Sequence, residues 1–520
     1  MARALVLETR WWRFESSSFY QLLFIDLFNP KKMSRFNVLK KRKPTINRAG
    51  GLSFKQDPKE ELASILLTSF VQDQYYRSKE SVFEEVRNLL TSVDPLFAAK
   101  ATVFARQEYG MRSITQVMAA ELAPLVTGQD WAKNFYAQVI KRPDDMLEIL
   151  AYYWSLGNSG IPNAMKKGFA KAFDQFDGYQ LAKYRAANKG VKLVDIVNLV
   201  RPRPTKSNAA ALQALVENRL RSTGTWESKL TKAGIEAKDE EGKKASKAKV
   251  WEELIRTKKL GYFALLRNLR NIAEQAPDCL GEALSILVDP GRIRKSMVLP
   301  FRYITAMDSI ATSSLGIRQK RRIQRNLNKA LEISVNNVPV FDGRTLVVLD
   351  DSGSMTWGKK NAGKTPIEIG ALFAALLYKS NAADLMRFSS DASYVYPYYQ
   401  DSALGIAKGM VERAKAAGTN FNAIFEKANK AYDRIIILSD MQAWEGYYSP
   451  KLTFDSYKQE YNANPYIYSF DLQGYGSMQF QGDRAFLLAG FSEKVFDVMK
   501  LLESDRQALI NKIETVQIAS

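Results

Sequence analysis

From Asp57 to about Leu331, apolar residues recur at three- and four-residue spacing, which predicts a succession of amphipathic helices. Leu62, Ile65, Leu66, Ser69 and Phe70 form one stripe, and Val82, Val86, Leu89 and Leu90 the next. Further helical stretches are expected at Leu96–Phe104, Ile114–Leu122, Trp131–Ile140 and Met146–Trp154. The breaks carry stop signals: Asp94-Pro95, Gly128, Arg142-Pro143 and the stretch from Gly157 to Pro162. Helices this short, separated by breaks this brief, suggest stacked antiparallel pairs in the manner of an α-solenoid. No repeat is strict enough to assign a HEAT or armadillo register. Asp195 to Pro204 should end a helix at a double-proline turn, and the charged 236–249 stretch reads as a mobile surface excursion. Helices resume at Trp251 and run to about Ile333.

At Thr345 the period switches. Thr345–Leu349, Arg434–Ser439 and Tyr466–Leu472 read as buried strands, alternating with helices at Ile367–Tyr378, Leu404–Ala416 and Phe421–Ala431. Strand–helix alternation over this span predicts a doubly wound parallel α/β sheet. The chain therefore divides into an N-terminal extension and basic arm (1–50), a helical repeat module (51–340) and a C-terminal α/β domain (341–520). Residues 1–32 carry Trp11, Trp12 and a short apolar run from Tyr20 to Phe28, and Met33 reads as a natural start. The segment before it is expected to be an upstream extension, disordered or an artefact of the assigned start codon, and its apolar run is too short to span a bilayer.

Charge sharpens this division. The chain has 75 Lys+Arg against 55 Asp+Glu, a net charge of +20. Residues 341–520 hold 19 basic and 21 acidic side chains, leaving 56 basic and 34 acidic in the first 340. The whole positive surplus lies in the first 340 residues, which points to a polyanionic partner. The sequence has no histidine and one cysteine, Cys279. Histidine-based acid–base and nucleophile systems are excluded, as are intramolecular disulfides and the usual zinc sites. Any metal must be oxygen-ligated.

Such a set of donors stands where an α/β sheet binds ligands, at the C-terminal ends of its strands. The first strand leads into Asp350-Asp351-Ser352-Gly353-Ser354, with Gly353 expected to permit a sharp turn. Gly418-Thr419-Asn420 supplies a second loop, and Arg434–Ser439 leads into Asp440. Asp350, Ser352, Ser354, Thr419 and Asp440 together resemble the metal-ion-dependent adhesion site of von Willebrand factor A domains. That resemblance implies a divalent cation; hydroxyl-rich coordination and cytosolic abundance favour Mg²⁺. A metal-dependent nuclease is disfavoured, because only Asp350, Asp351 and Asp440 are candidates where two-metal enzymes cluster carboxylates.

Several stretches of the helical part resemble the TROVE module of the Ro RNA-binding family. They are Phe70–Ser78 (FVQDQYYRS), Ile161–Phe173 (IPNAMKKGFAKAF), LAKYR followed by VDIVNLVRPRP, Ala264–Ile272 (ALLRNLRNI) and Val298–Ala306 (VLPFRYITA). The resemblance implies a ring of HEAT-like helical repeats closed by the von Willebrand A-like domain. It implies a noncatalytic, cytoplasmic, monomeric scaffold, with no membrane or DNA partner. Such a scaffold binds small noncoding Y-like RNA and the single-stranded 3′ ends of defective RNA. It serves RNA quality control, rRNA maturation or decay, with an exoribonuclease as partner.

Candidate phosphate contacts are Lys166, Lys167 and Lys171, then Lys183, Arg185, Lys189 and Lys192. Their plain alternative is a solvated helix face. Tyr179 and Tyr184 are placed to stack on bases, although core packing is the simpler role for them. Arg267 and Arg270 suit either RNA contact or structure, with Asn268 and Asn271 reaching neighbouring helix termini. Arg318, Lys320, Arg321, Arg322 and Arg325 form a second basic run that reads as a helical face. Ro-family members commonly carry histidines near this LAKYR…RPRP region; here Arg201-Pro202-Arg203-Pro204 occupies the turn. Cationic contacts survive that change, whereas a tautomer-specific base contact does not. The competing reading is a metal-dependent protein-binding adaptor with no specific RNA.

Overall fold

The computed structural model describes residues 44–47, 52–54, 57–68, 79–185, 190–221, 223–237, 239–357, 364–398, 400–442, 445, 449–472, 478–480, 482–489, 495–504 and 508–518. The 1–32 extension, Phe70–Ser78 and Lys189 lie outside the described residues. A two-stranded hairpin, β1 (Pro44–Ile46) and β2 (Leu52–Phe54), precedes the helices.

The predicted helical stretches form at Pro58–Thr68, Lys79–Leu90, Pro95–Gln107, Ser113–Glu121, Ala132–Val139 and Pro143–Ser155. Asp94 caps Pro95–Gln107 through the Phe97 N–H at 2.9 Å, as its Asp-Pro boundary requires. Ala132–Val139 packs closely on Asn163–Ala172. A Cβ added at Gly168 would lie 2.4 Å from that of Tyr136, so only glycine lets these two helices approach. Leu193–Val200 ends on Arg201 in the left-handed region (φ 48°) before Pro202, the stop that the double proline predicts.

One expectation fails here. The 236–249 stretch is no excursion: most of it belongs to the 17-residue helix Glu240–Arg256. Asp239 caps that helix at the Gly242 N–H, Lys243 pairs with Glu240, and Trp251, Leu254 and Ile255 bury its far end. The cap and charge pairs support a helix that its sparse apolar content does not announce.

The helical part runs to Ile317–Ser334. A six-stranded sheet follows, β3 (Thr345–Asp350), β4 (Asp384–Phe388), β5 (Ala392–Val395), β6 (Arg434–Ser439), β7 (Tyr466–Asp471) and β8 (Ala485–Ala489), in the order β5-β4-β3-β6-β7-β8. All neighbours are parallel except β4 and β5, so the sheet is mixed, with an antiparallel edge strand. β3 is buried along its length and splits by the period of two. Val347 and Leu349 join the core shared with the helices; Leu346 and Val348 face a second core with Ile435, Ile437 and Leu487.

This domain is bonded to the helical part at both ends. Near the start, Pro58–Thr68 packs on β8, with Ser64 Oγ donating to the Leu487 carbonyl. Lys59 pairs with Glu514 at 2.7 Å, and Lys100 donates to the Glu514 carbonyl. Phe54 of β2 exchanges two backbone hydrogen bonds with Met478. At the other end, Glu332 accepts from Lys379 (2.5 Å) and from the Ala403 N–H (2.6 Å), while Phe301 stacks on Phe373 at 5.1 Å.

Among the described residues of the helices the most enclosed charge is Asp145, fully buried. It accepts from Arg106 (2.6 Å), Arg112 (3.1 Å), Gln116 (2.7 Å) and the N–H groups of Lys141 and Arg142. Burial alone raises its carboxyl; Arg106 and the other donors outweigh that and hold it below the ordinary carboxylate value. A lowered value adds stability above the unfolded-state pKa of about 3.9, and that stability is lost as pH falls through the folded value. Asp145→Ala, which leaves Arg106 buried and unpaired, should cost about 3 kcal/mol or more at pH 7 in denaturant unfolding. The gap from the unmodified protein should narrow as pH falls; a loss under about 1 kcal/mol would remove this node from the account.

Candidate functional site

β3 delivers Asp350 at its C-terminal end, fully buried. Its carboxylate accepts from the Ser352 N–H at 2.9 Å and from the Ser439 hydroxyl, at the end of β6, at 2.5 Å. The Ser352 and Ser354 hydroxyls lie 3.2 Å apart, and Ser354 also bonds to Asp440. Thr419 is buried on the adjoining loop, its carbonyl accepting from the Glu445 N–H at 3.2 Å. Asp440 accepts from the Gln442 N–H at 3.2 Å.

Gly353 plays a different part from the one expected. It has no positive φ and opens the short helix Gly353–Trp357. Its N–H donates to the Ala417 carbonyl (2.9 Å), and an added Cβ would lie 3.2 Å from the Trp357 ring and 3.3 Å from the Ala416 carbonyl. Close approach between the two loops, rather than a turn, is what favours glycine here.

Burial pushes the Asp350 carboxyl well above its ordinary range, and the charge of Asp440 adds to the rise; burial raises Asp440 likewise. Among the described residues no lysine or arginine forms an ion pair with Asp350. Asp351 turns elsewhere: it accepts from the Lys415 N–H and stands 3.6 Å from Arg387. Two mutually repelling buried carboxylates ringed by hydroxyls form a donor set that a hard divalent cation fits. Sequence reasoning missed two residues here. Ser439 orients Asp350, and its signal was a serine closing a buried strand. The Glu445 carboxylate lies against Gly418, close enough that a Cβ there would overlap it.

The candidate RNA contacts fall on or beside the helices Asn163–Ala172, Gly178–Lys183 and Leu193–Val200, of which the first and third pack on each other. Lys166, Lys167, Lys183 and Lys192 are exposed. Lys171 is exposed too but donates to Asn134 Oδ1 at 2.7 Å, and the Arg185 guanidinium reaches the Leu220 carbonyl at 2.5 Å. Tyr179 is 58% exposed, so it is no core residue; Tyr184 is half-buried under the Arg142 guanidinium, 4.4 Å from its ring centroid. Arg267 and Arg270 are exposed on Tyr262–Gln275. Asn268 bonds to the Ala264 carbonyl and Asn271 to Asn268, so both stay within their own helix instead of reaching neighbouring termini.

The TROVE domain family model matches residues 61–240 and 210–362. The chain belongs to the TROVE domain family. Two curated relatives are the telomerase protein component 1 of Mus musculus, 25% identical over 353 residues, and that of Rattus norvegicus, 24% identical over 347. Each match covers 51% of this chain and only 13% of the relative. The fold is shared with the crystal structure of the Deinococcus radiodurans RO (RSR) protein, at a TM-score of 0.59 and 19% identity. That match covers 88% of this chain and 100% of the other.

If the acid pair holds a cation, saturating Mg²⁺ should stabilise the protein by about 2.7 kcal/mol at a hundredfold excess over its dissociation constant. Asp350→Ala should abolish this shift in thermal melts. Equal Mg²⁺ shifts in the variant and the unmodified protein would exclude these ligands.

Proposed function

We propose that this TROVE-family chain is a noncatalytic, Ro-type RNA-binding scaffold. Its helices form a HEAT-like ring bridged by a von Willebrand A-like domain. The basic outer surface binds small noncoding Y-like RNA, and the single-stranded 3′ ends of structured or misfolded RNA enter the centre. The observation that carries the reading is the positive surplus of the first 340 residues, 56 basic side chains against 34 acidic, in a chain whose residues 61–240 and 210–362 match the family model. The bonds from the C-terminal domain to both ends of the helical part support closure. In this reading Lys166, Lys167, Lys171, Lys183, Arg185, Lys189 and Lys192 contact phosphates. The scaffold presents RNA for quality control, rRNA maturation or decay to a cytoplasmic exoribonuclease.

Asp350, Ser352, Ser354, Thr419 and Asp440 would hold a divalent cation, Mg²⁺ in this account. When bound, the cation neutralises the acid pair and offers a position to an acidic group of a partner. Ser354 is the exposed member of the set, which supports access from that side. A metal-dependent protein adaptor is therefore a second activity on another domain, compatible with RNA binding.

Filter binding of a structured RNA bearing a single-stranded 3′ tail, across a salt series, tests this reading. Affinity should fall steeply with salt. Lys166→Glu, Lys167→Glu and Lys171→Glu together should weaken binding about tenfold or more and flatten the salt slope by about two units. Asp350→Ala should leave RNA affinity within a few-fold. Unchanged affinity in the triple variant would remove the proposed surface.

A further inference from the structure

Helix Ile317–Ser334 carries Arg318, Arg321, Arg322, Arg325 and Lys329, spaced so that successive turns bring them onto one side. At about 100° and about 1.5 Å per residue, the five fall within an arc of about 100° and run for about 16 Å. All five are exposed, and among the described residues none forms an ion pair. The other side of the helix is buried through Ile323, Leu327, Ala330 and Leu331, so the cations face solvent as a set.

A solvated helical face ordinarily interleaves its charges. Glu240–Arg256 in this chain does so, pairing Lys243 with Glu240 and Arg256 with Glu252. On Ile317–Ser334 like charges stand three and four residues apart and repel. Its first turn has no acid, Gly316 supplies no side-chain cap, and Arg318 stands there against the helix dipole. Arg322 meets a second dipole of the same sign. Its guanidinium lies beside Gly281, where an added Cβ would come 3.2 Å from Nη2, in the first turn of Leu280–Leu287. Glu282 of that turn forms no ion pair with it. The one acid of the cationic helix, Glu332, stands a turn beyond Lys329 and is taken by Lys379 (2.5 Å) and the Ala403 N–H (2.6 Å). The stripe therefore ends where the helical part joins the C-terminal domain, and no acid among the described residues pairs with it.

We infer that this stripe binds the phosphate backbone of double-stranded RNA. A row of cations calls for a row of anions, and a nucleic-acid duplex presents one negative charge per about 1.7 Å of its axis. All but Lys329 are arginines, whose forked donors match phosphate oxygens. The helix has no aromatic residue, so the stripe offers unpaired bases no stacking platform. Its only large exposed apolar side chain is Ile317, at one end, so it lacks the apolar centre that a protein partner would bury. The paired regions of a structured RNA are its ligand. The site rests on the RNA-binding reading above but shares no residue with the lysine surface, so the two fail separately.

The probes are a blunt-ended RNA duplex of about 16 base pairs and an unstructured single strand carrying the same number of phosphates, a length that exceeds the stripe. Changing Arg318→Gln, Arg322→Gln, Arg325→Gln and Lys329→Gln together should weaken the duplex about tenfold or more and flatten its salt slope by about three units. The single strand should lose less. Melting temperature should stay the same or rise, because the substitutions relieve repulsion within the helix. Arg318→Lys, Arg322→Lys and Arg325→Lys together should keep the salt slope, since the charge is retained. Full duplex affinity and an unchanged slope in the glutamine variant overturn the stripe and leave the lysine surface standing. Equal losses for the single strand overturn the assignment to duplex. Poly-L-glutamate that displaces the duplex at equal charge concentration would make the partner an acidic protein segment and overturn the RNA assignment. An unmodified protein that binds neither RNA overturns both this site and the reading it rests on.

Discussion

The C-terminal domain is held at two places far apart in the chain, and the rest of the architecture depends on that double attachment. Lys59 and Lys100 meet Glu514 near one end of the helical part, and Glu332 meets Ala403 and Lys379 at the other. Between them Phe301 stacks on Phe373, so one apolar core runs from the helices into one face of the sheet. Exposed ion pairs contribute little alone. Here they sit around buried contacts that join both ends of the helical run to the C-terminal domain.

Two buried acidic sites show opposite ways of managing charge. Asp145 is answered from its own chain, by Arg106 and Arg112 and by backbone donors, and stays ionised. Asp350 and Asp440 are surrounded by hydroxyls and amides, and burial raises both. The first is a structural node, complete in itself. The second has the chemistry of a site that expects a cation from outside. The same contrast runs across the surface: acids interleave with bases on Glu240–Arg256, whereas among the described residues Arg318, Arg321, Arg322, Arg325 and Lys329 on Ile317–Ser334 form no ion pair.

Much of this was legible in residue order. Helical spacing, Asp-Pro starts and the Arg201-Pro202 stop place most N-terminal helices within a few residues. β3, β6 and β7 are apolar enough to read as buried strands. Besides the β1–β2 pair, three further strands of the C-terminal sheet escaped for physical reasons. β4 begins on a charged residue, β5 is a short edge strand with polar positions, and Ala485–Ala489 has the alanine and leucine of a helix. The loops that carry Asp350 and Asp440 were legible because they close buried strands. The placement of Ser439 and Glu445 depends on how loops fold against each other, which residue order does not announce.

The central claim is that this chain is an RNA scaffold, and RNA recovered with the native protein tests it most directly. Sequencing that RNA after gentle purification, beside the triple lysine variant, should show structured noncoding species with single-stranded 3′ ends enriched in the unmodified protein and depleted in the variant. Recovery of no RNA above background, or of the same RNA from both proteins, would contradict the account.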